Sequence, residues 1–226
     1  MLGCGVFVHL NASRFGFVRA WLPGFRSSHF ACAFSQPTSA GAAYSENVKL
    51  GIISDTHGLL RPEVLSALRG PAFSGIDRIL HCGDVGKISI LDELAKIAPV
   101  TAVRGNIDRE GAGAKLPETD VVLIENPPRA GRYIYMLHDL KTLHLDPAAA
   151  KFAAVLHGHT HVPNFVTKKG VLYFNPGSCG PRRFELPVTI GLLTLGKDGE
   201  LTAEIVPLGP GWAEVIPNSK RHIRNP

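Results

Sequence analysis

Three short apolar runs in the first half of the chain, each followed directly by a polar loop, constrain the fold most strongly. They predict β-strands at Val48–Ser54, Arg78–Cys82 and Val100–Val103. Between them, Pro62 opens a predicted helix that ends at Gly70-Pro71, and Ser89–Ala98 forms a second, amphipathic helix. Strands and helices that alternate in this way are typical of a parallel α/β sheet.

After Pro117 the pattern changes to short strands separated by glycine, proline and Lys-Asp-Gly turns. These strands are predicted at Val121–Glu125, Arg132–Leu137, Ala153–Leu156, Val162–Thr167, Val171–Asn175, Thr189–Leu195 and Leu201–Val206. Pro147–Lys151 reads as an intervening helix. A parallel half joined to a β-rich half predicts an α/β fold with two stacked mixed β-sheets flanked by helices, which is a four-layer α/β/β/α arrangement.

The formal net charge of +5 is unevenly spread, since no acidic residue precedes Glu46. Residues 1–46 hold three of the 24 basic side chains and one of the 19 acidic ones, so the remainder is close to balance. This balance argues against nucleic acid as a partner, except as a small or cyclic nucleotide. No apolar run approaches the roughly 18 residues of a membrane span, so no membrane partner is expected.

The composition also divides the chain into three parts. Residues 1–46 are rich in Ser, Phe, Gly and Ala, and we expect an extension that is disordered or not native. A transit peptide and a folded arm are the other interpretations. Residues 47–209 form the predicted domain, and 210–226 a C-terminal tail whose end, 218–226, we expect to be loose. Four cysteines without CxxC spacing favour the cytoplasm, or an organelle if the transit peptide is real.

Polar residues with the chemistry of metal ligands follow the strand ends. In chain order they are Asp55, His57, Asp84, Asn106, His138, His159 and His161. Ligands of α/β sheets bind in the crevice beyond the carboxyl ends of the strands, so we expect these side chains to converge there. Two carboxylates, four imidazoles and one amide oxygen suit Mn²⁺, Fe, Ni²⁺, Co²⁺ or Zn²⁺. Each motif alone is equally typical of a capped or solvated loop, and the ordered set carries the prediction.

The set resembles the calcineurin-like metallophosphoesterase superfamily, and most closely its small YfcE-type phosphodiesterases. The resemblance covers 48–206 and rests on five motifs, which are Ser54–Gly58, His81–Asp84, Gly105–Asp108, Gly158–His161 and Asn175–Ser178. It implies a dimetal-dependent phosphodiesterase in which a metal-bridging hydroxide attacks the phosphodiester. Two divalent ions about 4 Å apart can lower the pKa of a bridging water and bind both oxygens of an in-line displacement.

The resemblance also implies a role for each ligand. Asp55, His57 and His161 would bind one metal, Asn106, His138 and His159 the second, and Asp84 would bridge them. Asp84, Asn106 and His138 are the expected catalytic residues, and Asn106 also contacts substrate. Mn²⁺, Ni²⁺ or Co²⁺ is the expected metal, with Zn²⁺, Fe or Mg²⁺ as alternatives.

Two further positions bear on the substrate. Many superfamily members have His where this chain has Ile107, and Ile107 cannot protonate a leaving group. A general acid typically contributes about 10²–10⁴-fold, so small diesters with aryl or cyclic leaving groups are favoured over phosphomonoesters and phosphoproteins. If His were introduced at position 107, Asp108 is the nearest residue in sequence that could orient it. Arg182 and Arg183 could reach a phosphate, stay solvated or pair with a carboxylate, and Arg182 is the predicted contact.

Three other functions remain open. A retromer subunit shares the family fold and serves as an interaction scaffold, but it departs at metal-site positions, whereas all seven ligand candidates are present here. A nuclease of the superfamily would carry an additional domain and a more basic surface, and a phosphatase would require the missing acid. A homo-oligomer fits the sequence as well as a monomer does.

Several nearby residues have a simpler interpretation. His81 and His157 are expected to face the core or to support the ligands, and His144 is expected to be solvated. Cys82 and Cys179 are expected to be buried small residues and not nucleophiles, because this chemistry requires no thiolate.

Overall fold

The computed structural model describes residues 47–125, 131–183, 185–209 and 220–223. Its elements are β1 (Asn47–Ile53), α1 (Pro62–Leu68), β2 (Arg78–His81), α2 (Ser89–Ala95), β3 (Val100–Ala102), β4 (Thr119–Ile124), β5 (Arg132–Leu137), β6 (Phe152–Leu156), β7 (Asn164–Lys168), β8 (Val171–Asn175), β9 (Thr189–Gly196), β10 (Leu201–Pro207) and β11 (Lys220–Ile223). Single 3₁₀ turns lie at Pro71–Phe73, Gly113–Lys115 and Leu140–Thr142.

The strands form two mixed sheets, as predicted. The first has the order β11-β10-β9-β1-β2-β3, and its β1, β2 and β3 are parallel. The second has the order β4-β5-β6-β8-β7, with β5, β6 and β8 parallel and antiparallel strands at both edges. The three parallel neighbours β1–β3 place the ends of their strands, and the loops that follow, at one edge of the molecule.

A hydrophobic core lies between the two sheets, and the period of two along each strand explains which residues enter it. Leu50 and Ile52 of β1 pack there with Ile134 and Met136 of β5. Ile53, the next residue along the strand, packs on the opposite face of the first sheet. Alternate residues of one strand therefore join separate clusters and bind the sheet to layers on both sides.

Both α-helices cover the outer face of the first sheet. Val64 and Leu68 of α1, and Ile90 and Leu94 of α2, are buried at a spacing of four residues, which puts each pair on one helix face. Pro62 starts α1 at its first position, where a missing N–H costs nothing. Helices of seven residues are marginal alone, so packing against the sheet stabilises them.

The outer face of the second sheet shows one wrong prediction. Pro147–Lys151 is a hydrogen-bonded turn and not a helix. The Asp146 carboxylate accepts the Ala148 N–H at 3.0 Å, and Lys151 has a left-handed φ of 59°, which ends the turn after a few residues. Ala148 still packs with Leu140 against buried side chains of β5, β6 and β8, so turns provide the outer layer here.

The C-terminal segment also differs from expectation. Lys220–Ile223, predicted to be loose, forms β11 and pairs antiparallel with Leu201–Glu204 of β10. Residues 1–46 and 210–219 lie outside the described residues, and so does the expectation for the N-terminal extension. The two α-helices have seven residues each, so no helix in the described part of the chain is long enough to cross a membrane.

Candidate metal centre

Five loops that follow β1, β2, β3, β5 and β6 meet at one edge of the sheets and are joined by backbone hydrogen bonds. The Asp55 N–H donates to the Gly83 carbonyl at 3.0 Å, and the His57 N–H donates to the Asp84 carbonyl at 2.9 Å. The Gly158 N–H donates to the His138 carbonyl at 3.0 Å. The structure thus brings all seven predicted ligands together, because each belongs to one of these loops.

The first cluster consists of Asp55, His57 and His161. His57 Nε2 lies 3.2 Å from His161 Nε2, and Asp55 Oδ1 lies 3.3 Å from His161 Nε2 and 3.8 Å from His57 Nε2. Ligand bonds of about 2.1 Å at angles between tetrahedral and octahedral put ligand atoms about 3.0–3.4 Å apart. Both distances to His161 Nε2 have this spacing and the third is wider, so the three atoms form a group that could hold one small divalent ion.

An unsatisfied carboxylate oxygen supports this interpretation. Asp55 is fully buried, and its Oδ1 has no hydrogen-bond partner among the described residues; His161 Nδ1 is in the same condition. A buried polar atom without a partner costs about 1–3 kcal/mol, and more if it is charged. A cation between Asp55, His57 and His161 would satisfy the carboxylate, so this donor set fits a metal.

The second cluster consists of Asn106, His138 and His159. Asn106 Oδ1 lies 3.0 Å from His138 Nε2 and 3.1 Å from His159 Nδ1. His138 Nδ1 lies 2.8 Å from the Cys82 carbonyl oxygen, which accepts its proton, so Nε2 of the neutral ring carries a lone pair. Both distances from Asn106 Oδ1 have the spacing of ligands around one ion.

Asp84 lies between the clusters. Its Oδ2 is 3.5 Å from His57 Nε2, and its Oδ1 is 3.4 Å from His138 Nε2. The Ile107 N–H donates to Oδ1 at 3.1 Å and helps to fix the carboxylate. Because each oxygen faces a different cluster, the geometry is that of a carboxylate able to contact two ions at once.

The carboxylates of the centre are ionised near neutral pH. Burial alone would raise the pKa of Asp55, but the adjacent His161 imidazole and Ser54 hydroxyl hold it below its ordinary value. Burial would also raise the pKa of Asp84, but the hydrogen bond and the charge of His138 outweigh burial and lower it. The pKa of His138 is raised in return, against its burial, chiefly by the Asp84 carboxylate. The centre therefore carries negative charge that a cation would neutralise.

The backbone at the ligands is strained. Asp55, His57, Asp84, His159 and His161 have φ angles of 56°, 46°, 55°, 70° and 60°, in the left-handed region that residues other than glycine rarely adopt. Such a conformation costs about 1–3 kcal/mol and persists where the surroundings enforce it, commonly at functional sites. Its concentration at five ligands agrees with a functional role for the cluster.

Two glycines allow the loops to approach closely. A Cβ at Gly105 would overlap the Asp84 carboxylate, and a Cβ at Gly158 would overlap Ser54 Oγ. Any larger residue at either position would push a ligand loop outward. The glycines of Gly-Asn-x-Asp and Gly-His-Thr-His are therefore required by packing around the carboxylates.

Two supporting residues hold the ligand loops. Asn175 Nδ2 donates to the Gly158 carbonyl at 2.8 Å and to Thr160 Oγ1 at 3.0 Å, which fixes the loop of His159 and His161. The Asp108 carboxylate accepts N–H groups of Gly105, Val85 and Gly86 at 2.8–2.9 Å.

Asp108 therefore differs from expectation. With three backbone donors already bound, its carboxylate is not available to orient a histidine at position 107. Sequence reasoning gave Asp108 no structural role, although its place in Gly-Asn-x-Asp, beside a ligand, was the available signal. Its function is to join the loops after β2 and β3.

The residues given simpler roles behave as predicted. His81 is buried, its Nε2 lies 2.9 Å from Thr56 Oγ1, and its Nδ1 accepts the Gly83 N–H at 3.2 Å. Burial lowers the pKa of His81 to about 4 and raises the pKa of Cys179 to about 12. Cys82 is buried as well, and His144 is exposed.

Two charged residues outside the ligand set reach the centre. An Arg183 guanidinium nitrogen donates to His57 Nε2 at 3.3 Å, and the substrate contact predicted for Arg182 stays a prediction. Asp139 Oδ2 lies 3.7 Å from His159 Nε2. Asp139 had one signal, its position directly after the ligand His138.

Known proteins resemble this chain in sequence and fold. Residues 48–198 match the calcineurin-like phosphoesterase superfamily domain. A protein described as a probable metallophosphoesterase from Methanocaldococcus jannaschii is 32% identical over 162 residues, which are 70% of this chain and 81% of that protein. The structure of Yfce, a phosphoesterase from E. coli, has a TM-score of 0.56 at 23% identity and covers 78% of this chain and 100% of its own.

A further solved structure is wild-type Vps29 from Entamoeba histolytica complexed with Zn²⁺. Its TM-score is 0.57 at 24% identity, over 77% of this chain and 97% of that chain. At this level of identity, the solved structures establish the fold alone. The family match spans more than half of the chain and contains all five motifs and all seven ligand residues. The chain belongs to the calcineurin-like phosphoesterase superfamily, and its two-sheet structure is the metallophosphoesterase fold.

Proposed function

We propose that this protein is a dimetal-dependent phosphodiesterase that hydrolyses small phosphodiesters. The observation that carries the proposal is the convergence of ligand side chains at one edge of the sheets. Asp55 with His57 and His161, and Asp55 with Asp84 and His138, form two groups that could hold a metal, and Asn106 Oδ1 lies beside His138 and His159. Both groups contain the unsatisfied Asp55 Oδ1. Two ionised carboxylates leave a pair of divalent ions with net positive charge. Such a centre attracts an anionic phosphoester.

Each ligand has a defined task in this proposal. Asp55, His57 and His161 hold one ion, Asn106, His138 and His159 hold the other, and Asp84 contacts both. Bound there, the ions would supply Lewis acidity at the phosphoryl oxygens and would lower the pKa of a bound water. Asn106, which is exposed, is the ligand best placed to contact substrate as well.

Arg183 is the better candidate for binding a non-bridging phosphate oxygen. Its guanidinium already lies beside the first cluster, at His57, and planar guanidinium groups bind phosphate with two parallel hydrogen bonds. The sequence-based candidate, Arg182, serves as its comparison. Arg183→Gln should raise KM for a diester more than Arg182→Gln does, and equal effects would remove the distinction.

Ile107 supports a diester substrate. Its side chain is 45% exposed beside Asn106 and carries no proton to donate, and its N–H is bound to Asp84. A leaving group must then depart without protonation from this position. Aryl and cyclic diesters satisfy that requirement, because their leaving groups are weakly basic or strained.

The ligand chemistry favours Mn²⁺, Ni²⁺ or Co²⁺ over Mg²⁺. Four of the seven ligands are imidazoles, whereas Mg²⁺ prefers oxygen ligands and retains several waters. The proposed substrates are small diesters of the cytoplasm. If residues 1–46 direct import into an organelle, they are small diesters of that organelle. Polymeric nucleic acid and membranes are not proposed as partners.

A matrix of metals and substrates tests the function. Chelated protein is assayed with Mn²⁺, Ni²⁺, Co²⁺, Zn²⁺ and Mg²⁺ on a bis(aryl) phosphate, an aryl monophosphate and 2′,3′- and 3′,5′-cyclic nucleotides. We expect no activity after chelation and the highest kcat/KM for a diester with Mn²⁺, Ni²⁺ or Co²⁺. Full activity in excess chelator would refute the metal dependence, and faster hydrolysis of the monoester would refute the diesterase.

A scaffold is the second candidate function, and an exposed apolar strip favours it. Val121 and Leu123 of β4 and Tyr133 of β5 are exposed, and Leu123 pairs with Tyr133. The Vps29 structure with Zn²⁺ means that an intact metal site does not by itself distinguish an enzyme from a Vps29-like protein. Turnover does distinguish them, since metal-loaded protein that hydrolyses none of these substrates would favour the scaffold.

A further inference from the structure

Asp139 occupies a position beside the second cluster that the ligand assignment does not use. His159 turns Nδ1 toward Asn106 Oδ1, at 3.1 Å, and its other ring nitrogen, Nε2, toward Asp139 Oδ2, at 3.7 Å. An imidazole that binds a metal through one nitrogen keeps its proton on the other. That proton commonly goes to a carboxylate, which fixes the tautomer and the ring orientation.

The Asp139 carboxylate is itself held in place. Its Oδ1 accepts the Lys141 N–H at 3.0 Å, and its backbone carbonyl accepts the Thr142 hydroxyl at 2.8 Å. These bonds build the 3₁₀ turn at Leu140–Thr142 and leave Oδ2 directed at His159. One oxygen therefore holds the turn, while the other faces the imidazole.

His159 needs such a partner more than the other histidine ligands do. Its side chain is 37% exposed, whereas those of His138, His161 and His57 are 5%, 6% and 10% exposed and are confined by packing. An exposed ring can rotate away from the cluster unless a second contact restrains it. The separation of 3.7 Å exceeds a hydrogen bond of about 2.9 Å by less than 1 Å, which a small ring rotation closes.

We propose that Asp139 is a positioning residue that orients His159 and increases the affinity of the second metal site. The inference rests on the proposed function only in assuming that the second cluster binds an ion. Asp139 acts through the His159 Nε2–H, which its carboxylate accepts, and it touches neither substrate nor ion. Loss of such a partner lowers metal affinity by about 10- to 100-fold.

The substitution Asp139→Asn separates this role from turn formation. The amide keeps an oxygen for the Lys141 N–H but presents an NH₂ group to His159 Nε2–H, so two donors face each other. Asp139→Ser is the second variant, because serine also caps turns and is too short to reach the ring. The matched control is Asp146→Asn. The Asp146 carboxylate also accepts the N–H two residues along, from Ala148 at 3.0 Å, but Asp146 is not beside any of the seven ligands in the sequence.

Metal binding is measured by equilibrium dialysis against Mn²⁺ with elemental analysis. The ¹⁵N–¹H signals of the His159 ring are recorded on protein loaded with diamagnetic Zn²⁺. We expect two ions in the wild type and in Asp146→Asn. In both Asp139 variants, the free Mn²⁺ that half-fills the second site should rise about 10- to 100-fold, with a changed His159 ring signal and an unchanged first site.

Different failures point to different errors. A wild type that binds no ion would refute the proposed metal centre itself. A wild type with two ions and unchanged midpoints in both Asp139 variants, or the same shift in Asp146→Asn, would overturn the role of Asp139. Melting temperatures of the chelated proteins establish that each variant is folded, and a variant that fails to fold leaves the other to decide.

Discussion

The two ligand clusters differ in how deeply they are placed. In the first, the side chains of Asp55, His161 and His57 are 0%, 6% and 10% exposed. In the second, His138 is 5% exposed, but Asn106 is exposed and the His159 side chain is 37% exposed. The first cluster is thus part of the folded core, whereas the second faces the side from which substrate would arrive.

The supporting contacts explain this difference. The Asp55 carbonyl accepts the Ser178 hydroxyl at 3.0 Å, and the Ser54 carbonyl accepts the Cys179 N–H at 3.1 Å, so the loop after β8 covers the loop of the first cluster. At the second cluster, the partly exposed His159 ring contacts Asn106 and Asp139 through its nitrogens and packs edge-to-face on the His138 ring. We therefore expect the first ion to bind more tightly and the second to exchange more readily.

The largest effect is expected from Asp84→Asn, which should abolish the difference between the clusters by weakening both. The amide removes the charge that faces His57 and His138 at once. Hydrolysis should fall by more than about 100-fold, beyond the loss expected for a supporting residue. Elemental analysis supplies the second measurement. Two ions per chain and full activity in Asp84→Asn would mean that Asp84 does not contact both ions.

A pair of variants measures the comparison directly. His161→Ala removes a ligand from the buried cluster and should leave the Asp55 carboxylate without its closest imidazole, so metal-free protein is also expected to melt at a lower temperature. His138→Ala should empty mainly the second site. Dialysis against graded Mn²⁺ distinguishes them, and equal losses from both sites in both variants would show that the clusters bind cooperatively and not independently.

Substitution at Ile107 tests the solvent-facing side. Ile107→His should accelerate alkyl diesters more than aryl diesters, by up to about 100-fold, which is the lower bound for a positioned acid. The gain should fall short of that bound, because Asp108 is bound to three backbone N–H groups and is not available to orient the new ring. A wild-type rate that does not depend on leaving-group pKa would mean that another group already donates the proton.

The agreement between sequence and structure was best where neighbours along the chain decide the outcome. The apolar runs ending in ligand motifs predicted β1, β2 and β3 and the convergence of all seven ligands, because parallel strands necessarily end at a common edge. The prediction of a helix at Pro147–Lys151 was wrong for a local reason, since the Asp146 carboxylate caps a single turn. The hydrophobic pattern in this segment is too short to extend that turn into a helix.

Contacts between distant segments were not predictable from the sequence. Asp139 and His159 meet because β5 and β6 are parallel neighbours. Arg183 meets His57 although 126 positions separate them in the sequence. Neither pairing follows from spacing. The choice of Arg182 over Arg183 as the substrate contact had no local signal to decide it, since adjacent residues in a loop can point in different directions.

A smaller effect concerns the support beneath the first cluster, where His81 joins Thr56 to Gly83. Burial lowers the pKa of His81 from 6.5 to about 4, so the folded state favours the neutral ring. The resulting stability is complete above pH 6.5 and is lost as pH falls toward 4. Chelated wild type should therefore lose more melting temperature between pH 7 and pH 5 than His81→Asn, which cannot titrate. Parallel losses would remove His81 as the cause.

The smallest effect is expected from deletion of residues 1–46, which contain none of the seven ligands of either cluster. The first strand begins at Asn47, and its pairing with β2 and β9 uses only residues from Asn47 onward. Melting temperature and kcat/KM should therefore stay close to those of the full chain, within the roughly 0.5 kcal/mol typical of changes away from the core. A chain starting at Asn47 is compared with the full chain, with and without Mn²⁺. If the shortened protein loses stability without metal, the segment packs on the domain; if it loses only the second ion, the segment covers the solvent-facing cluster, and the difference in exposure between the two clusters would be smaller in the complete protein.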